Sequence, residues 1–155
     1  MLNDLFLVLL CCVIWAGWSL IVGYSLNKVP NNKFAKELTF VNTDTFERLN
    51  VLQIKKWKDK VPEAGDMFKG GVSKSSVKTY DVQSLKNFVY ETRRAEYVHY
   101  SIMMITPVFF LFLPAYLIVA MILYAVVANI PCLLIQRYNR SRILNVLKNK
   151  SNFGS

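Results

Sequence analysis

The sequence is poor in the residues from which most enzyme sites are built. It has one histidine, His99, and three cysteines, Cys11, Cys12 and Cys132, all three inside apolar runs. No set of histidines and cysteines has the spacing of a zinc site, so no metal is expected. Lys69, Gly70 and Gly71 read K-G-G, the wrong order for a phosphate-binding P-loop, and no cofactor is expected either. No DNA- or RNA-binding module is present, so nucleic acid is not an expected partner in spite of the net charge of +9. Charge is missing altogether from Leu5–Leu26 and from Ser101–Ile135. An uncharged apolar stretch of roughly 18 residues or more is already a transmembrane candidate. The chain therefore reads as an all-α integral membrane protein.

The second apolar run holds 35 residues. As one helix it would reach ~52 Å at about 1.5 Å per residue, against a hydrocarbon core of about 30 Å. Pro107 and Pro114 stand where a break is needed, since proline lacks an amide donor and clashes with the preceding turn. The expectation is a proline-broken helical hairpin over residues 98–135, with arms Val98–Leu113 and Ala115–Ile135. One long kinked helix is the competing reading. The first run predicts a transmembrane helix over residues 5–26. The only charge ahead of it is Asp4, unlike the basic start of a signal peptide. Trp15, Trp18, Gly17 and Gly23 on it are candidate packing positions.

Charge supplies an orientation. Asn27–Tyr97 carries 14 lysines and arginines against 9 acidic residues, and the tail after Ile135 carries 5 basic residues and no acid. By the positive-inside rule both regions are cytoplasmic and the N-terminus lies outside. The expected organisation is a single membrane domain, residues 1–155, multi-pass in the cell membrane. A basic cytoplasmic interfacial segment of helices and loops (27–97) follows the first span. A basic cytoplasmic tail (136–155) follows the hairpin. Membrane phospholipids are the expected partners of the positive surface.

Within the central segment, FERLNVLQIKKW predicts an amphipathic helix with Phe46, Leu49, Leu52 and Ile54 on its apolar side, either lying on the membrane or buried in a small cytoplasmic cap. Lys55, Lys56, Lys58 and Lys60 crowd around Trp57 and Asp59. Asp81–Tyr100 predicts a second helix, with Asp81 as its cap. Glu91, Arg93, Arg94, Glu96 and His99 share its more polar side. Glu96 and His99 are three residues apart, so they face the same way. A carboxylate that orients an imidazole is what proton abstraction from a hydroxyl needs, and a nearby arginine neutralises a phosphate or an oxyanion. The plainer reading is that these charges bind lipid headgroups and one another. Asn129 is a polar amide inside an apolar run and needs a partner there. Arg137, Arg140 and Arg142 mark the cytoplasmic edge, with Tyr138 as an interface anchor.

Three of these stretches, KKWKDKVPEAGDMFKGGVSK, ETRRAEYVHY and YAVVANIPCLLIQRYNRSR, resemble the glycosyl-4,4'-diaponeurosporenoate acyltransferases. These are small bacterial membrane proteins associated with the last step of staphyloxanthin synthesis. The resemblance runs from about Trp15 to Leu147. It implies an O-acyltransferase that moves a long-chain fatty acyl group onto a sugar hydroxyl of a glycosylated lipid. The implied partners are an acyl donor, either acyl-CoA or acyl-carrier protein, and the glycosylated lipid. The histidine followed four residues later by aspartate that many acyltransferases carry is absent.

The matching stretches contain His99, Glu96, Arg94 and Glu91 as catalytic candidates. They contain Trp57, Lys58, Asp59, Gly70, Gly71, Asn129, Arg137, Tyr138, Asn139 and Arg140 as substrate-binding candidates. The expected division of labour gives His99, oriented by Glu96, the hydroxyl proton. Arg94, Arg137, Arg140 and the lysine cluster hold the charged part of the donor. No serine or cysteine stands beside His99 as a nucleophile, so direct transfer is expected over a covalent acyl-enzyme. The alternative class is a non-catalytic membrane subunit or a glycolipid-binding or transport module. A homo-oligomer is compatible with so small a membrane protein.

Overall fold

The computed structural model describes residues 2–34, 50–61 and 81–153, and every regular element among them is helical. Among the described residues the α-helices defined at both ends are, in order, α1 (Leu2–Asn27), α2 (Ile54–Trp57), α3 (Val82–Met103) and α4 (Ala115–Phe153). Short 3-10 turns cover Asn31–Phe34, Lys58–Lys60 and Thr106–Leu111. Two helical segments, Asn3–Asn27 and Ala115–Lys150, are long and apolar enough to cross a membrane. Only 17% and 22% of their most apolar windows are buried within the chain. The core helix of a water-soluble protein would be mostly buried. Side chains such as Val13 and Val127, 69% and 70% exposed, suit a hydrocarbon surround and not water.

The three long helices pack together with α3 antiparallel to the other two. Trp18 of α1 meets Ser101, while Asn27 at the end of α1 meets Arg94. On the other side His99 meets Asn129 and Glu96 meets Arg137. Asp4 meets Tyr116 and Trp15 meets Tyr124, so α1 and α4 run parallel. The apolar core between them holds Cys11, Trp15, Val22, Ile102, Phe109, Leu113 and Ala125. Trp15 stacks on Phe109 at 5.9 Å between centroids, and Tyr124 meets its edge at 5.1 Å. A smaller cluster at the other end packs Ile54 of α2 against Ile135 and Tyr138 of α4.

The break in the second apolar run comes earlier and is wider than the prolines suggest. Helix α3 stops at Met103, and α4 begins only at Ala115. The arm expected over Val98–Leu113 is thus the last turns of α3 plus a 3-10 turn, and only the Ala115 arm has the length of a span. A helix end in an apolar surround has no water to satisfy its last four carbonyls. Here each has a named donor. Met104 N–H donates to the Tyr100 carbonyl (3.2 Å) and Ile105 N–H to that of Ile102 (3.3 Å). The Trp18 indole donates to Ser101 at 2.8 Å, and the Thr106 hydroxyl to Met103 at 2.7 Å. Pro107, with no amide hydrogen, could not have bonded Met103, and Thr106 supplies the missing donor.

Two further boundaries differ from the sequence reading, and one cap lacks its bond. Helix α4 runs unbroken for 39 residues, about 58 Å at 1.5 Å per residue, so the basic tail continues the span as one rod. The FERLNVLQIKKW helix is interrupted at Gln53, whose φ of 49° is left-handed. Leu52 is consequently exposed while Ile54 is fully buried. Phe46 and Leu49 lie outside the described residues. Asp81 stands at the N-cap of α3 with extended backbone, yet its carboxylate makes no capping bond.

Candidate active site

The polar side of α3 faces inward. Arg93, Arg94 and Glu96 are all buried, Glu96 to 1%. Because α3 lies between α1 and α4, a stripe of charges on it meets both neighbours.

Toward α1, Arg94 grips both carboxylate oxygens of Glu91, one of them through Nε at 3.1 Å. Its Nη1 donates to the carbonyl of Asn27 at 3.2 Å, where α1 has run out of amide donors. Arg93 donates from Nη1 to the carbonyl of Phe34 at 3.0 Å. The Phe34 ring packs on Tyr97, 5.6 Å between centroids. This half of the layer fastens the end of α1 and the following turn onto α3.

Toward α4, Glu96 sits between two arginines. Arg137 Nε donates to Oε1 at 2.7 Å. Arg140 Nη1 lies 2.8 Å from Oε2 but points off the line of a hydrogen bond, so that contact is Coulombic. Arg137 Nη2 also donates to the Tyr100 hydroxyl. Both oxygens of Glu96 are thus engaged from across the interface. Glu96 does not serve as the orienting partner of His99, contrary to the expectation from their spacing: two full positive charges outcompete a neutral ring.

His99 has a different partner. Its Nδ1 stands 3.0 Å from Oδ1 of Asn129. The amide nitrogen of Asn129 donates to the Ala125 carbonyl at 2.9 Å, which fixes which end of the amide faces the ring. An oxygen facing Nδ1 requires that Nδ1 carry the hydrogen. In neutral His99 the lone pair is then on Nε2. Asn129 is 3% exposed, so its end of the pair lies inside the bundle.

The remaining candidates scatter. Trp57 lies on α2, its indole donating to the Leu52 carbonyl at 3.1 Å, and packs on the Ile54–Ile135–Tyr138 cluster. Lys58 follows in the 3-10 turn and is half-buried. Asp59 shares that turn, but its side chain lies outside the description, as do Gly70 and Gly71. Tyr138, expected as an anchor at the water–lipid boundary, is instead buried to 2% beneath α2. Asn139 is buried beside it in sequence. The structure therefore brings together Glu96, His99, Asn129, Arg137 and Arg140, and places Glu91 with Arg94 one turn away. It adds Tyr100, which the sequence reading missed; its spacing of four from Glu96 on the same helix was the available signal. Among the described residues no three His, Cys, Asp or Glu side chains gather.

Comparison with known proteins adds an independent line. Residues 30–149 match the family model for glycosyl-4,4'-diaponeurosporenoate acyltransferase. A glycosyl-4,4'-diaponeurosporenoate acyltransferase from Staphylococcus haemolyticus (strain JCSC1435) is 31% identical over 134 residues, covering 83% of this chain and 78% of that protein. Its counterpart from Staphylococcus aureus (strain MRSA252) is 24% identical over 143 residues, covering 89% and 86%. No solved structure matches.

Proposed function

Given that this chain belongs to the glycosyl-4,4'-diaponeurosporenoate acyltransferase family, we propose that it is a membrane O-acyltransferase acting on a glycosylated lipid. The donor is a long-chain acyl thioester, acyl-CoA or acyl-carrier protein. The acceptor is a sugar hydroxyl of a lipid such as glycosyl-diaponeurosporenoate. In this reading α1 and α4 cross the cell membrane with the N-terminus outside. Residues 27–97 and the chain from Gln136 onward are cytoplasmic. The distribution of basic residues supports that orientation, and so does the contact of Glu96 with Arg137, which holds both flanks of the second apolar run at one end of the bundle.

The observation that carries the chemistry is the His99–Asn129 pair. With Nδ1–H committed to Asn129, Nε2 is the basic nitrogen. It takes the proton from the sugar hydroxyl as the oxygen attacks the acyl carbonyl. The new C–O bond forms, the tetrahedral intermediate collapses, and the C–S bond breaks. The imidazolium then returns the proton to the departing thiolate, leaving His99 neutral for the next cycle. The half-buried ring at an apolar boundary limits competing attack by water. Glu96 acts at one remove, holding the Arg137 side of α4 against α3 and so the distance from Asn129 to His99.

The test is direct. The purified chain in lipid nanodiscs is given palmitoyl-CoA or palmitoyl-acyl-carrier protein together with glycosylated lipid, and products are read by mass spectrometry. A new ester that is lost in His99→Gln is the expected result. Glycolipid binding with no ester from either donor would replace this reading with a carrier or accessory role.

A further inference from the structure

Around Glu96 the inner polar layer holds more positive charge than that one carboxylate neutralises. Glu91 is committed to Arg94 through both oxygens. Glu96 alone stands between Arg137 and Arg140, which leaves that triad one positive charge in excess. Arg140 is 3% exposed, and its Nη1 makes no hydrogen bond. A buried guanidinium with an unused N–H is costly in a low-dielectric setting, and a further anion removes that cost.

The same corner is reachable from outside. The Arg137 side chain is 30% exposed. Tyr100 is 38% exposed, and its hydroxyl, which accepts from Arg137, still has its own proton to donate. Arg137 and Arg140 are three residues apart on α4, so they present one face. An anion seated there meets two guanidinium groups and a phenol. A tetrahedral group with one net charge and several acceptor oxygens both closes the charge balance and uses divergent donors better than a planar carboxylate does.

We propose that Arg137, Arg140 and Tyr100 form the seat of a phosphate group. Arg94 is not part of it, its charge being matched by Glu91 and its Nη1 turned to the Asn27 carbonyl. Nor are Lys55 and Lys56, which are exposed on α2. Two sources carry this chemistry: the phosphates of a soluble thioester donor and the headgroup of a phospholipid. The first source rests on the acyltransferase reading; the seat itself does not.

Binding without turnover tests it. The full chain is purified and delipidated in dodecyl maltoside, which contains no phosphate. Its melting temperature is followed against inorganic pyrophosphate, coenzyme A and dihexanoyl-phosphatidylglycerol. A saturable rise of about 3 °C is expected at roughly ten times Kd. A response to pyrophosphate and coenzyme A assigns the seat to the donor. A response to the phosphatidylglycerol alone assigns it to a headgroup. Arg137→Gln is expected to weaken binding roughly tenfold or more. Lys55→Gln with Lys56→Gln leaves it unchanged. If Arg140→Gln fails to fold, the more exposed Arg137→Gln still decides the matter. No saturable response to any of the three ligands, or an equal response in Arg137→Gln, overturns the proposal. Because no acyl group is present, failure of ester formation and failure of this seat are separate results.

Discussion

Asn129 decides which nitrogen of His99 carries the hydrogen. Its Oδ1 is 3.0 Å from Nδ1, and its own amide hydrogen is already committed to Ala125 within α4. A residue 30 positions further along the chain thus sets the protonation pattern of the only histidine. Asn129→Leu removes the acceptor without adding charge and should lower turnover by about 10–100-fold, the size of effect that loss of the orienting partner has on metal-bound imidazoles. KM for the acyl donor should change little. Asn129→Asp keeps an acceptor and should retain more activity than the leucine variant. Initial rates of ester formation at saturating substrate are the measurement, and equal rates for leucine and asparagine would remove the tautomer argument.

Glu96→Gln leaves Arg137 and Arg140 facing a neutral group. Removing one partner of a buried ion pair costs about 3–5 kcal/mol, and the partial exposure of Arg137 places this variant at the lower end. Thermal denaturation in detergent should show the loss. Arg137→Leu made on that background should cost less than it does alone, with a coupling of about 1–3 kcal/mol. Strict additivity would show that the contact contributes nothing.

Trp18→Phe keeps the ring but removes the donor to Ser101. A carbonyl left without its partner at the end of α3 should lower stability by about 1–3 kcal/mol. Amide exchange over Met104–Phe112 should quicken more than exchange over the start of α3.

Ile54→Ala empties a fully buried position between α2 and α4. Such truncations cost about 2–5 kcal/mol, here concentrated on the docking of a four-residue helix. Residues 50–61 should become susceptible to limited proteolysis while the melting of the long helices moves little. Unchanged cleavage would mean that α2 is held by something other than this contact.

The proposed orientation predicts which reagents reach which residues. Single reporter cysteines at Lys60 and Lys148, in a background without Cys11, Cys12 and Cys132, should react with a membrane-impermeant maleimide only after cells are opened. A reporter at Asn3 should react in intact cells. Labelling of Lys148 in intact cells would place the basic tail outside and end the cytoplasmic reading.

Much of the architecture was legible because hydrocarbon imposes blunt demands. Two uncharged runs can be read off the chain, and helix α3 at Val82–Met103 lies close to the Asp81–Tyr100 expected from periodicity. Its boundary at Met103 was less legible, because Pro107 signals a break without saying how the freed carbonyls are satisfied; Trp18, from another helix, answers that. The interruption at Gln53 had no signal at all. Left-handed backbone is usually announced by glycine or asparagine, and glutamine announces nothing.

The site was legible as a set of residues and not as a set of partnerships. His99, Glu96, Asn129, Arg137 and Arg140 all stood out as ionisable or amide groups near apolar runs. Spacing along α3 could pair Glu96 only with its own helix. The stronger partners came from Arg137 and Arg140 on α4, and local spacing does not carry that. Tyr138 illustrates the same limit. A tyrosine at the end of a span suits a boundary position, but the docking of Ile54 covers it.

The indole of Trp18 and the carbonyl of Ser101 are separated by 83 positions, and synthesis delivers them in that order. By the time Ser101 leaves the ribosome, the leading helix has long been made. The reversal of the chain after Met103 therefore meets a surface already in place, with its donor waiting. The N-terminal helix is on this account a template for how the later segment turns, as well as an anchor. A version of the protein whose translation began beyond it would reach the same reversal with no template to guide it.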